Sequence, residues 1–406
     1  MQRAESWVWR LVMPALLLGG VMAGWVLLVA VLIRLWNWRF NAPEAHWSLP
    51  GGAWPWLAYY ALQLMGGLWS ANLEAWAFSL EVKASLLFLP LAAGIPGRPL
   101  GRDFWWSVGW GLTVFLSWRL LHAAWHHAVL DDSGFWTYAG FSGGVHPTYL
   151  SLHAAVAWVG LSKQWGGAKV LWPLTILFAL CIGLMGSKAG ILAAMTVALV
   201  EPVLKSRWPG LHDTVRTKWV SLAFCAVLLG SSLWSSGSRF GEMTTAVAAI
   251  QSEAAPVASS SAGRVAVWRS SLDVMLDHPF GVGTGDVTDE LADVYAREGI
   301  HYARTRKLNP HNQWLQAGVA FGWPGVLVFS FIMWSWLSSA WQRRSLIGFL
   351  CGSLFLLHSG VESVLEVQRG VVFLLWLWMA IVEEGARIRR RGIDVALEFP
   401  QGGVAG

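Results

Sequence analysis

The sequence predicts an all-α polytopic membrane protein, and three observations carry that prediction. Of 406 residues, 55% are hydrophobic and only 13% are charged, where a soluble domain carries about 25% charged residues. Apolar runs of roughly 15 to 24 residues recur along the chain, close to the length that crosses a hydrocarbon core. They are continuous rather than alternating, which favours helices over a β-barrel. Thirty residues are Trp, many of them flanking apolar runs (Trp36, Trp38, Trp54, Trp56, Trp105 and Trp106 among them), the placement of interfacial belts.

Taken in order, the stretch 7–38 is either one long helix or a tight hairpin broken at Gly19, Gly20 and Gly24. Its apolar part follows Arg3 and Arg10 like a signal peptide. It is long, has no small-residue cleavage pattern before Arg34, and is read as retained. Further spans are predicted near 54–70, 76–94, 104–127, 146–163, 168–185, 187–204, 216–235, 323–341, 344–358 and 369–386. One set of connections carries the cations: Arg98 and Arg102, Lys163 and Lys169, Lys205 to Lys218, Arg343 and Arg344, and Arg387 to Arg391. The alternate short connections have almost none, so the positive-inside rule puts the first set in the cytoplasm. Arg3 and Arg10 then also fall inside, which favours the hairpin and gives about 12 transmembrane helices.

The expected organisation is an N-terminal transmembrane bundle over 1–235, one large periplasmic loop or cap over 236–310, a C-terminal bundle over 311–392 and a cytoplasmic tail over 393–406. Within the loop, Gly263 to Leu276 reads as a short amphipathic helix, with Val265, Trp268, Leu272 and Met275 at helical spacing. His278 to Gly285, with one Pro and three Gly, breaks it. The run 252–263, rich in Ser, Ala and Pro, reads as mobile. The loop also holds Arg264, Arg269, Arg297, Arg304, Arg306 and Lys307, a charge pattern suited to an anionic substrate at a membrane surface.

Four cations lie inside or at the mouth of apolar spans: Lys83, Arg119, Lys188 and Arg369. Each costs about 2.5–3.5 kcal/mol at a helix centre, so such residues usually face a polar cavity. All four fall toward the loop side, and with Arg264 and His311 they are expected to line one electropositive pocket. The plainer alternatives are a Lys83 paired with Glu81 or Glu74 and an Arg369 acting as an interface anchor. His122 and His126 share a helical face with Arg119. They and His127 lack a third metal ligand, so a structural or headgroup role is expected. Asp131–Asp132 reads as a solvated turn. Cys181, Cys225 and Cys351 all lie in apolar segments and imply no disulfide framework.

Two segments, GRVAVWRSSLDVMLDHPFGVGTGD from Gly263 and HNQWLQAGVAFGWPGVLVF from His311, resemble the O-antigen ligase family, which shares its membrane domain with O-antigen polymerases and O-linked oligosaccharyltransferases. The resemblance rests on Arg264, Trp268, Pro279, Gly281, Gly283, His311 and Asn312. GSKAG at Gly186 and HPTYLSLH at His146 resemble two further family elements. Position 188 is Lys where many relatives carry Arg, which keeps the charge and loses the bidentate fork.

The resemblance implies an inverting, metal-independent glycosyltransferase without a cofactor. It would move a glycan from undecaprenyl diphosphate to the lipid A-core oligosaccharide on the periplasmic face of a bacterial inner membrane. His311 is the expected base and Arg264 the first diphosphate ligand, with Lys188, Arg119, Lys83 and Arg269 as further diphosphate-binding cations. Asn312, His146, Glu362 and Trp268 are expected to support them, Glu362 by orienting His311 or an arginine. The expected partners are the lipid-linked glycan, the lipid A-core and membrane lipids, and no nucleic acid. The competing readings are an O-antigen polymerase, a protein-directed oligosaccharyltransferase and, from another class, a lipid-linked glycan transporter or flippase.

Overall fold

The computed structural model describes residues 2–164, 168–208, 214–235 and 260–398. Among these residues every regular element is helical. The helices are α1 (Gln2–Arg10), α2 (Val12–Leu18), α3 (Gly20–Asn41), α4 (Trp54–Met65), α5 (Leu73–Val82), α6 (Ser85–Ala92), α7 (Gly101–Leu130), α8 (Tyr138–Ser142) and α9 (Pro147–Gln164). They continue as α10 (Ala168–Leu184), α11 (Lys188–Arg207), α12 (Thr214–Ser235), α13 (Ser260–Asp277), α14 (Val287–Arg297), α15 (His301–Thr305), α16 (Gln313–Gln342), α17 (Leu346–Ser359) and α18 (Gln368–Glu398). Most of the run 252–263 lies outside the described residues, as does the end of the expected tail. The last helix continues to Glu398, beyond the boundary expected at 392.

Among the described residues, five helical segments are long and apolar enough to cross a membrane: Gly20–Asn41, Leu73–Ala92, Lys188–Arg207, Val215–Ser235 and Gln313–Gln342. Two shorter apolar helices, Val170–Leu184 and Leu346–Ser359, pack among them. The centre of the bundle is α9 and α18, where residues 147–161 and 371–380 are buried without interruption. A helix apolar on every side satisfies all its faces only by such burial. At the periphery α7 instead exposes a stripe of Trp110, Val114, Trp118, Leu121 and Trp125. That spacing of three and four marks one continuous face, and an exposed apolar band of this size is what lipid covers.

The N-terminal ambiguity resolves as a hairpin. Gly19 is fully extended between α2 and α3, and the chain returns so that Asn37 donates to Glu5 at 2.7 Å. The helix read at Gly263 to Leu276 is present as α13, but its buried face differs from the one predicted. Met275 is buried as predicted, but Leu272 is exposed and Val265 and Trp268 half-buried, while Val267, Ser270, Ser271 and Val274 turn inward. α13 lies close against α16. A Cβ at Gly318 of α16 would meet Met275 Sδ at 2.4 Å.

The Gly-rich turn after α13 anchors the cap to the bundle. Val282 and Gly283 donate their N–H groups to the Val319 and Ala320 carbonyls, and Trp323 donates to Pro279 O. These bonds use backbone groups that α16 frees where Gly322 breaks it, with φ 62° and ψ −148°, a conformation essentially confined to glycine. On the other side, Asp286 accepts from the N–H groups of Ala71 and Asn72 at 2.7 and 2.8 Å. The cap is thus fixed to both α16 and the α4–α5 connection.

Candidate functional site

The site forms where α16 begins. Asn312 caps that helix, its Oδ1 accepting from Trp314 N and Leu315 N, while its Nδ2 donates to Gly360 O at 3.0 Å. One residue earlier, His311 adopts a left-handed backbone with φ 47°, and its N–H donates to Asn309 Oδ1. The cap and the turn together aim the imidazole at the connection between α17 and α18. There His311 Nδ1 lies 3.1 Å from Glu362 Oε2. On the other oxygen, Arg264 Nη2 donates to Glu362 Oε1 at 3.0 Å. One carboxylate therefore joins two residues that are 47 positions apart in sequence.

Exposure differs within this trio. The Glu362 side chain is 5% exposed, Arg264 32% and His311 25%. The acceptor is sealed in, and the guanidinium and the imidazole face outward. Burial pushes the Glu362 carboxyl up, but the His311 hydrogen bond and the charges of His311, Arg264 and His146 outweigh it. The group is held below the ordinary carboxylate range. An ionised carboxylate only accepts hydrogen bonds, so Nδ1 of His311 carries the proton and Nε2 is left as the basic nitrogen.

His146 stands at the start of α9, near enough to interact electrostatically with Glu362, His311 and Arg264. The start of α11 is drawn to the same place. Ser187, which caps that helix, donates to Thr148 Oγ1 at 3.1 Å, and a Cβ at Gly190 would sit 2.4 Å from Ser151 Cβ. Lys188, exposed, opens α11. The positive ends of α9, α11 and α16 thus gather at one end of the bundle.

Lys83, Arg119 and Arg369 are each engaged by other groups. Lys83 is 3% exposed, pairs with Glu366 at 2.8 Å and donates to Gln63 and Ser79. Its partner is neither Glu81 nor Glu74, because the α5–α6 break at Lys83 turns it inward toward the α17–α18 connection. Arg119, also buried, donates to the Phe141 and Gly140 carbonyls and so holds α8. Arg369 donates to Leu16 O and Gly144 O, tying the N-terminal hairpin to the α8–α9 turn. Arg269 is exposed and lies about 140° round α13 from Arg264. Trp268, one turn on from Arg264, is half-buried, and its indole N–H has no partner among the described residues. The rings of His122 and His126 pack together and against Phe135. Asp132 caps the turn that follows α7.

Sequence reasoning missed how much of the site the α17–α18 connection organises. Besides Gly360 and Glu362, it offers Ser363 O to Tyr149 Oη, Leu365 N to Gln313 Oε1 at 2.8 Å and Glu366 to Lys83. Gln313, fully buried, also donates to Tyr59 Oη, so one amide clamps α4, α16 and the Glu362 connection. The available signal was two glutamates four residues apart in a short connection between apolar helices, and a glutamine directly after the His–Asn pair.

Residues 173–330 match a family model described as O-antigen ligase. The matched segment includes Lys188, Arg264, the Gly-rich turn, His311, Asn312 and Gln313. The resemblance read from the motifs holds over that segment, and no curated protein sequence matches the chain. The apolar helices mark a multi-pass membrane protein, and over residues 173–330 the chain is similar to the O-antigen ligase family.

Proposed function

We propose that this chain, which carries an O-antigen ligase domain over residues 173–330, is an inverting glycosyltransferase. It moves a glycan from undecaprenyl diphosphate to a hydroxyl of the lipid A-core. The observation that carries the proposal is the Arg264–Glu362–His311 arrangement, a base and an anion ligand fixed on one buried carboxylate. In the reaction His311 Nε2 takes the proton of the acceptor hydroxyl as that oxygen attacks the anomeric carbon. The bond from that carbon to the diphosphate oxygen breaks, and Arg264 and Lys188 stabilise the charge gathering on the leaving group. His146 assists from the start of α9. Glu362 keeps the imidazole in the correct tautomer and stabilises the imidazolium, the same division of labour as in other base–orienter pairs. The proton then passes from His311 to the released diphosphate or to water. A single displacement inverts the anomeric carbon, and no metal is required where fixed cations neutralise the diphosphate.

α9, α11 and α16 begin at the site and α17 ends there, an arrangement compatible with about 12 alternating passes and both termini on the cytoplasmic side. The expected division into two transmembrane bundles, a periplasmic cap and a cytoplasmic tail follows from it. On that topology the site faces the periplasm of a bacterial inner membrane. Arg119 and Lys83 act as structural cations in this scheme, because their donors are already committed within the protein.

The test is purified protein with lipid-linked glycan and lipid A-core, products separated by mass. Glycan on lipid A-core with release of undecaprenyl diphosphate is the expected result. A longer lipid-linked chain identifies a polymerase instead. Movement of unmodified lipid across liposomes identifies a transporter.

A further inference from the structure

We infer that the arm formed by residues 299–308 of the cap is an anion-binding surface for the acceptor glycolipid, separate from the cations that hold the diphosphate. This rests on the ligase reading and extends it to how the acceptor is recognised.

The arm is rigid and basic. Gly299, with φ 71°, and Lys307, with φ 47°, turn the chain at its two ends. Ile300 N donates to Tyr295 O, Leu308 N to Ala303 O, and Tyr295 Oη to Leu308 O at 3.1 Å. Tyr295 and Ala303 are buried, and they dock the arm on α14. What the docking leaves outward is His301, Tyr302, Arg304, Arg306 and Lys307, all exposed. The Arg306 guanidinium lies 4.5 Å from the Tyr302 ring centroid, and its Nη1 donates to Tyr302 Oη at 2.8 Å. Stacking of this kind fixes a guanidinium in place before any ligand arrives.

Charge is segregated sharply here. From Gly299 to His311 there are three permanent cations and no acidic residue. Among the described residues no carboxylate forms an ion pair with Arg304, Arg306 or Lys307, whereas Arg297 just before them approaches Glu290. Three neighbouring cations, one of them held by Tyr302, repel one another, a cost that a polyanionic ligand relieves.

The position of the arm selects the ligand. Lys307 is four residues from His311, so their Cα atoms are at most about 14 Å apart. A displacement at the anomeric carbon needs the attacking hydroxyl and the leaving diphosphate on opposite sides of that carbon. Arg264 and Lys188 stand on helices of the cap–bundle junction and take the leaving side. The arm leads directly into His311, the base on the attacking side, so its cations meet the phosphate groups of the acceptor oligosaccharide, with the exposed Tyr302 ring beside them for a sugar face.

The test is the triple variant Arg304→Ala, Arg306→Ala, Lys307→Ala in the full-length protein, reconstituted in nanodiscs. Binding of lipid A-core without donor is measured first. Affinity is expected to fall roughly tenfold, the combined effect of three exposed charge contacts. KM for the acceptor should rise by a similar factor, with KM for the lipid-linked glycan unchanged. After phosphatase treatment of the lipid A-core, variant and wild type should bind it alike. Unchanged lipid A-core affinity, a rise confined to the donor KM, or an equal loss of phosphatidylglycerol binding would each overturn the inference. Absence of transfer by the wild type defeats the ligase reading, while the arm is judged on donor-free binding.

Discussion

Two buried glutamates with arginine partners sit at opposite ends of this molecule, and they are used differently. At the end away from the cap, Glu383 pairs with Arg34 at 2.8 Å, with side chains 8% and 3% exposed. Arg34 also donates to Ile95 O, and Glu383 accepts from Leu100 N, so the pair fastens α3, α7 and α18. A cavity of about 1540 Å³ opens beside it, lined partly by Trp56, Trp336 and Trp378. At the cap end, Glu362 is equally buried, yet its partners Arg264 and His311 are a quarter to a third exposed. The same carboxylate–guanidinium chemistry is closed on itself in one place and presented outward in the other. On the proposed function, it is the exposure of the cation and not the presence of the pair that separates the two ends.

The sharpest test of that contrast is at His311. His311→Ala should lower glycan transfer by at least about 10³-fold, at the upper end of what a general base supplies, with folding measured by size exclusion and thermal unfolding unchanged. Near-normal transfer would remove the base assignment. Arg264→Ala should cost about 10²–10³-fold, the usual effect of losing one stabilising donor, and Arg264→Lys should keep part of the activity. At the opposite end the effect should appear in stability. Arg34→Met leaves Glu383 buried without its partner and should cost about 3–5 kcal/mol. The double replacement Arg34→Met, Glu383→Leu should recover most of that, and transfer per folded molecule should not change.

A smaller effect separates the ends by pH. Glu362 has its carboxyl held below the usual range in the folded protein. Its contribution to stability is therefore complete above the unfolded value of about 4.3 and is lost as pH falls through the lower folded value. The difference in unfolding temperature between wild type and Glu362→Gln should stay level from pH 8 to 5 and shrink only below about 4. A difference that already closes near pH 6 would mean that Glu362 is not ionised in the folded protein. Last, Gln313→Leu strands the Tyr59 hydroxyl and the Leu365 N–H. It should cost about 1–3 kcal/mol and lower kcat without moving the acceptor KM, since the clamp acts through the Glu362 connection.

The sequence made the helical segments legible because each is a local property. Fifteen or more apolar residues in a row have few other ways to satisfy their backbone in lipid. It also made the types of chemistry legible: a histidine–asparagine pair before a hydrophobic helix, an arginine and tryptophan one turn apart, and a Gly-rich turn. The amphipathic face of α13 was misread in part: Met275 is buried against Gly318 as periodicity expects, but Ser270 turns inward to donate to Glu298. Lys83, Arg119 and Arg369 looked alike as cations in apolar spans. Only their neighbours distinguish them, and those neighbours come from other helices.

By itself, then, the sequence determined a chain that must cross a membrane repeatedly and carry its polar chemistry on one cap and its adjoining helix ends. The tertiary structure alone decided that Glu362, on a connection 51 residues after His311, is the group where His311 and Arg264 meet. The physical reason is separation along the chain. Hydropathy and capping act within a few residues, but an ion pair depends on which helix ends are packed side by side.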